Sequence, residues 1–252
     1  MKILLWLALG LLSLGACVVE SGPCKGVKEI PKTECEALVS FYEATDGPQW
    51  KDNRGWLQTN TPCSWHGLQC TEGHVTGLSI NYNEVSGYLP GVLSQLKELR
   101  VLSLYFNHLY GPIPPELSLL TRLESLVLHN NQLSEDIPPE LANMSSLIKL
   151  DLDGNELEGT IPPELGRLST LNWLGMRDNH LSGAIPPEMG DMSSLRSLYL
   201  SNNSLSGPIP ESLGNLSNLD VLGLYGNEDL GVLPKSLQDL PESLYELMFP
   251  PD

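Results

Sequence analysis

The residue types that most often do chemistry are sparse in this sequence and poorly spaced for it. Cys63, His66 and Cys70 lie close enough together to share a zinc ion, but a tetrahedral site needs a fourth ligand that nothing nearby supplies. The five histidines, at positions 66, 74, 108, 129 and 180, show no metal-ligand spacing. Asp151-Leu152-Asp153-Gly154-Asn155 opens like a calcium loop, yet Glu156 stands where the loop needs glycine and Pro162 where it needs an acid. No serine elbow, zinc-binding helix or phosphate loop is present. The expectation is a non-enzymatic chain with no metal and no cofactor. What remains is suited to recognition: Tyr82, Tyr105, Phe106, His129, Trp173, Arg177, Tyr199 and Tyr225, accompanied by Lys149, Asp151, Asp153 and Asp178. Aromatic rings and guanidinium groups are the side chains that anchor interfaces.

These residues do not fall at random. Asn83, Asn107, Asn131, Asn155, Asn179, Asn203 and Asn227 recur every 24 residues, and Pro90, Pro114, Pro138, Pro162, Pro186, Pro210 and Pro234 keep the same step. One unit reads LRVLSLYFNHLYGPIPPELSLLTR from Leu99, another LRSLYLSNNSLSGPIPESLGNLSN from Leu195. A fixed period of this length marks a solenoid. The alternation Leu102-x-Leu104 puts two side chains on one face of a short strand. The asparagine three residues later sits where the chain must turn, and its amide can satisfy backbone groups that no regular ladder reaches. The asparagines therefore read as structural. Gly-x-Ile-Pro suits an extended outer segment, and leucines such as Leu117 and Leu120 close the core. Parallel stacking at about 4.8 Å per step gives seven coils a length of roughly 30 Å. The residues flanking each strand leucine then face outward on one sheet, which places the aromatic and charged set above on a single concave face. Glu116, Glu140, Glu164 and Glu188 step along the opposite side as a solvated edge.

The unit LxxLxLxxNxLxGxIPxxLxxLxx resembles the plant-type leucine-rich repeats of receptor-kinase ectodomains and polygalacturonase-inhibiting proteins. The resemblance implies an α/β horseshoe of about seven coils over residues 75–240, with parallel concave strands and a recognition role. Glu135-Asp136 replaces the usual glycine and its neighbour, and Asn227-Glu228-Asp229-Leu230 carries its leucine one residue late, as terminal repeats do.

Both ends of such a stack need covers. Upstream, over residues 33–74, Thr33-Glu34-Cys35-Glu36 predicts a capping box, with Leu38, Phe41 and Tyr42 on one face of a helix of about ten residues. Asp46-Gly47-Pro48 breaks that helix, and Trp50, Trp56 and Trp65 follow. CSWHGLQC followed by HVTGLSI looks like the N-terminal cap of the same repeat family. That likeness implies a Cys63–Cys70 disulfide and leaves Cys24 and Cys35 for each other, although four cysteines allow three connectivities. Downstream, Leu244, Leu247 and Met248 within residues 241–252 are expected to cover the last coil.

The first 16 residues read as a signal peptide: Met1-Lys2, an apolar run from Ile3 to Leu14, then small residues. Leu14-Gly15-Ala16-Cys17 resembles the lipobox of bacterial lipoproteins, which implies a diacylglycerol thioether on Cys17 and a linker over residues 17–32. Removing Cys17 from the five cysteines leaves an even four. Val18 in place of aspartate is, by the same likeness, an outer-membrane sorting signal. Against 14 basic residues stand 31 acidic ones, a net charge of −17 that disfavours nucleic acid and anionic lipid headgroups. The expected function is a lipid-anchored, exported binding protein that takes a protein or glycan on its concave face. Two rivals remain: a secreted plant-like defence or co-receptor protein, glycosylated at Asn143, Asn202 or Asn215, and a passive adhesion or envelope spacer.

Overall fold

Each 24-residue unit makes the same circuit, because its seven apolar positions all have to face inward. In the unit from Leu99 these are Leu99, Leu102, Leu104, Leu109, Ile113, Leu117 and Leu120, every one fully enclosed. Burying a side chain of this size contributes about 1.5–3 kcal/mol, so the leucine pattern alone dictates the coil. The computed structural model describes residues 22–238. The expected signal peptide over residues 1–16, Cys17 and the expected C-terminal cap over 241–252 lie outside them.

One eight-stranded sheet runs the length of the described residues. Its strands are β1 (Leu68–Thr71), β2 (His74–Ser79), β3 (Val101–Ser103), β4 (Ser125–Val127), β5 (Lys149–Asp151), β6 (Trp173–Gly175), β7 (Ser197–Tyr199) and β8 (Val221–Gly223). From β2 to β8 they pair in parallel and in chain order, Leu78 opposite Leu102, Leu102 opposite Leu126, and so on to Leu198 opposite Leu222. β1 turns back antiparallel onto β2 and ends the parallel series. The fold is a leucine-rich-repeat solenoid of seven coils, as the period required. The expected extended outer segment is more regular than that. Short stretches such as His108–Gly111, Gln132–Asp136 and Ser204–Gly207 pair in parallel along the flank, and 3-10 turns such as Pro115–Leu119 and Pro139–Asn143 close each coil.

The asparagine ladder links one coil to the next. Asn131 Nδ2 donates to Leu104 O of the preceding coil (3.0 Å) and to Leu128 O of its own (2.9 Å), while its Oδ1 accepts the Leu109 amide (3.0 Å). Asn155, Asn179 and Asn227 repeat the pattern. Asn83 joins the first coil to the cap instead: its Oδ1 accepts the Asp52 amide and its Nδ2 donates to Asp52 O.

The cap is an aromatic block under helix α1 (Lys32–Ala44). Phe41, Tyr42, Trp50, Trp56 and Trp65 pack ring on ring, with Tyr42 and Trp56 stacked at 5.8 Å. Each indole finds an acceptor: Trp50 Nε1 the Thr45 carbonyl, Trp56 Nε1 the His66 carbonyl, Trp65 Nε1 the Thr59 hydroxyl. The end of the helix presses on the first coil at Gly87 (φ 142°), where a Cβ would lie 2.0 Å from the Ala44 carbonyl oxygen. Disulfides Cys24–Cys35 and Cys63–Cys70 tie the cap, so the zinc reading of Cys63 and Cys70 is set aside.

The capping box does not form. Pro31, not Thr33, precedes the first turn, and no side chain caps it. Glu34 is buried and reaches across to β2, accepting from the Val75 amide at 2.8 Å and meeting His74 Nδ1 at 2.7 Å. The Val75 amide lies where the pairing of β1 with β2 shifts register, and satisfying that buried donor outweighs capping the helix's own solvent-exposed N-terminus.

Candidate recognition face

Seven coils bring four columns of variable residues to the concave side. Two flank the strand leucine, as Trp173 and Gly175 do around Leu174; two more, such as Arg177 and Asp178, follow as the chain turns. The last column carries an unexpected backbone. The residue before each ladder asparagine is left-handed: Tyr82 (φ 53°), Phe106 (51°), Asn130 (53°), Gly154 (62°), Asp178 (54°), Asn202 (54°) and Gly226 (69°). Five coils meet this with glycine, asparagine or aspartate, the residues that tolerate it. The first two use tyrosine and phenylalanine, for which such a backbone costs about 1–2 kcal/mol each.

Those two strained residues open an aromatic cluster. Tyr82 and Phe106 stack in parallel at 4.6 Å, and Tyr105 and His129 stack in parallel at 4.5 Å. The two stacks stand at right angles, with interplanar angles of 85° for Tyr82–Tyr105 and 86° for Phe106–His129. The result is a four-ring herringbone, with Tyr82 58% and Phe106 43% exposed.

Next along the sheet lies a charged node. Asp151, the last residue of β5, and Asp153, two residues beyond it, are 4% and 6% exposed. Lys149 Nζ (3.1 Å) and His129 Nδ1 (3.2 Å) meet Asp151; Arg177 Nε (2.8 Å) and its amide (2.9 Å) meet Asp153. Gly175 in the next coil makes the room: a Cβ there would stand 2.7 Å from Asp153 Oδ1 and 3.1 Å from Asp151 Oδ1. Burial pushes the Asp153 carboxyl up to about 6; neighbouring Asp151 adds to this and Arg177 opposes it. Burial likewise lowers the His129 imidazole, against the pull of Asp151.

A second aromatic pair follows, with Trp173 and Tyr199 at 4.6 Å. This pair comes with its own cations, Lys149 Nζ 4.6 Å from the Trp173 ring centroid and the Arg177 guanidinium 5.5 Å from that of Tyr199. Trp173 Nε1 is enclosed and meets no acceptor among the described residues. Tyr225, two coils further along than Arg177, is half-buried and makes no ring contact among the described residues.

The structure thus gathers Tyr82, Tyr105, Phe106 and His129 into one cluster and Trp173, Arg177 and Tyr199 into another, and leaves Tyr225 apart. Sequence reasoning missed that Asp151 and Asp153 are buried and hold the clusters' cations in place. It also missed the left-handed column, although Asn130, Gly154, Asp178, Asn202 and Gly226 at one repeat position signal it.

Coil, ladder and open sheet define a leucine-rich-repeat solenoid. Leucine-rich-repeat family models match residues 120–181, 98–120 and 194–216. No curated protein matches the chain by sequence. Among solved structures, a Pollen Receptor Kinase 3 is 33% identical with a TM-score of 0.69, over 79% of this chain and 97% of that one. The Arabidopsis receptor kinase HAESA, solved with the peptide hormone IDA and the co-receptor SERK1, is 33% identical with a TM-score of 0.76, over 81% of this chain and 35% of that one. The ectodomain of GASSHO1/SCHENGEN3 from Arabidopsis thaliana, in complex with CASPARIAN STRIP INTEGRITY FACTOR 2, is 43% identical with a TM-score of 0.57, over 60% of this chain. The chain spans only 18% of that ectodomain. The chain belongs to the plant-type leucine-rich-repeat family, whose solved members named above are receptor kinases and their ectodomains.

Proposed function

We propose that the chain is an exported recognition module that binds a peptide or protein partner along its concave face, held at a membrane by lipid on Cys17. The observation that carries the binding part is the pair of left-handed aromatics, Tyr82 and Phe106, kept exposed where five other coils use residues that suit the backbone. Strain of this kind persists where function requires it. Two neighbours crystallised with a peptide ligand or integrity factor on the same scaffold support a peptide or protein over a glycan. A partner identified by crosslinking in the host is the test. Trp173→Ala with Tyr199→Ala removes the central anchors and is expected to weaken that complex by about thirtyfold or more. Unchanged affinity overturns the strip.

The anchor rests on separate support. The two disulfides consume Cys24, Cys35, Cys63 and Cys70, so Cys17 is the one cysteine of the five outside them. Cleavage after Ala16 would leave it as the first residue, with 17–32 as the tether. Among the described residues no helix is long and apolar enough to cross a membrane. The mass of the N-terminal tryptic peptide from the native host decides: diacylglycerol on Cys17 supports the anchor, and a mature chain starting elsewhere removes it.

A further inference from the structure

We infer that the herringbone of Tyr82, Tyr105, Phe106 and His129 is the seat for a cationic side chain, an arginine or lysine of an extended peptide lying along the concave sheet. This rests on the recognition reading above and gives the ligand a charge and a direction. The starting point is the difference between the two aromatic clusters. At Trp173 and Tyr199 the ring faces are already occupied by Lys149 and Arg177. Those cations are themselves fixed by Asp151 and Asp153, so the second cluster is internally neutralised. In the herringbone, rings pack on rings, and Tyr82 and Phe106 keep much of their surface in solvent.

The local charge selects the occupant. Glu84 stands two residues beyond Tyr82 with its side chain 64% exposed and its carboxylate 3.3 Å from the His108 imidazole, while the Asp52 carboxylate is already ion-paired with Arg54. Asp151, against His129 at the other side, is already matched by Lys149 and adds no free charge. With a net charge of −17 behind it, an electron-rich ring platform with the exposed Glu84 carboxylate two residues from Tyr82 attracts a cation and repels an anion. A guanidinium suits it best, because it can lie flat on a ring while its edge donates to a carboxylate. The sheet sets the direction: the cationic residue sits at the N-terminal coils, and the remainder of the peptide runs toward Trp173.

Selection of displayed random dodecapeptides against the immobilised full chain tests this. The variants are Tyr82→Asn and Phe106→Asn, which install the residue that Asn130 and Asn202 already provide at this backbone and so keep the fold. The expected result is peptides enriched in arginine or lysine at one position, whose affinity falls about tenfold in either variant. Restoring the ring with Phe106→Tyr is expected to return it. Selected peptides that need Trp173 and Tyr199 but show no basic residue, or bind both variants normally, overturn the cation seat and leave the recognition reading standing. If no peptide is selected, the cation seat falls while the recognition reading is decided by crosslinking, and binding to a glycan array that requires Tyr82 and Phe106 would reassign the herringbone to sugar stacking. Self-association of the chain that Phe106→Asn abolishes overturns it equally, in favour of a second copy as occupant.

Discussion

Phe106 sits in a backbone conformation it does not favour, and that has a measurable signature. Phe106→Asn relieves the left-handed strain while losing ring stacking worth about 0.5–1.5 kcal/mol. The two nearly cancel, so urea denaturation should find stability within about 1 kcal/mol of the parent. Phe106→Val loses the ring and adds a β-branch at φ 51°, so it should be the least stable of the three. The ladder behaves differently. Asn131→Ala leaves the buried Leu109 amide without its acceptor. It also takes one of two side-chain donors from each of Leu104 O and Leu128 O, which keep Asn107 and Asn155. The expected cost in the same assay is about 1–3 kcal/mol. Asp153 gives a pH dependence of defined sign. Its folded value of about 6 lies above the ordinary 3.8, so between those values the folded chain binds the extra proton. Stability from this group is therefore full below pH 3.8 and is lost as pH rises through about 6. A two-unit displacement amounts to about 2–3 kcal/mol. Asp153→Asn should flatten that part of the profile; an unchanged slope would mean the carboxylate is not the titrating group.

At the level of elements, the coils are legible in the sequence and the joints are not. A 24-residue period with leucines at fixed offsets admits one arrangement of strand, turn and outer segment, so the inward places of Leu99 to Leu120 follow from the spacing alone. The concave columns follow from the same period, which is why most of the recognition residues can be picked out. What the period cannot encode is the contact between different kinds of element. Thr33-Glu34-Cys35-Glu36 has the local pattern of a capping box, yet Glu34 serves β2, 40 residues away at His74. Asp151 and Asp153 look like exposed strand positions because nothing local announces that Gly175, in the neighbouring coil, makes space to bury them. The cap joint can be probed directly. Glu34→Ala leaves the buried Val75 amide without its acceptor and should lower cap stability by about 1–3 kcal/mol, read by amide hydrogen exchange in β1 and β2. Glu34 also raises the His74 pKa, a contribution present below the ordinary 6.5 and lost as pH rises through the higher folded value. Glu34→Ala should remove that dependence as well.

Across the whole molecule, each coil touches little beyond its two neighbours, and the ladder of hydrogen bonds is strictly nearest-neighbour. The cap enters the same series through Asn83 and Asp52, so the first coil inherits a rigid start. The herringbone is centred on the coil of β3, and the second aromatic pair begins with Trp173 on β6, three strand steps further along the sheet. At about 4.8 Å per step that is a gap of roughly 14 Å. Because whole units can be lost or duplicated without disturbing the contacts within any one of them, this gap changes only in fixed increments. The scaffold is in effect a graduated ruler: dropping the unit that holds β5 would bring the two marks one graduation closer and retune the length of ligand that reaches both, with every ring of either mark kept and only Lys149, Asp151 and Asp153 lost between them.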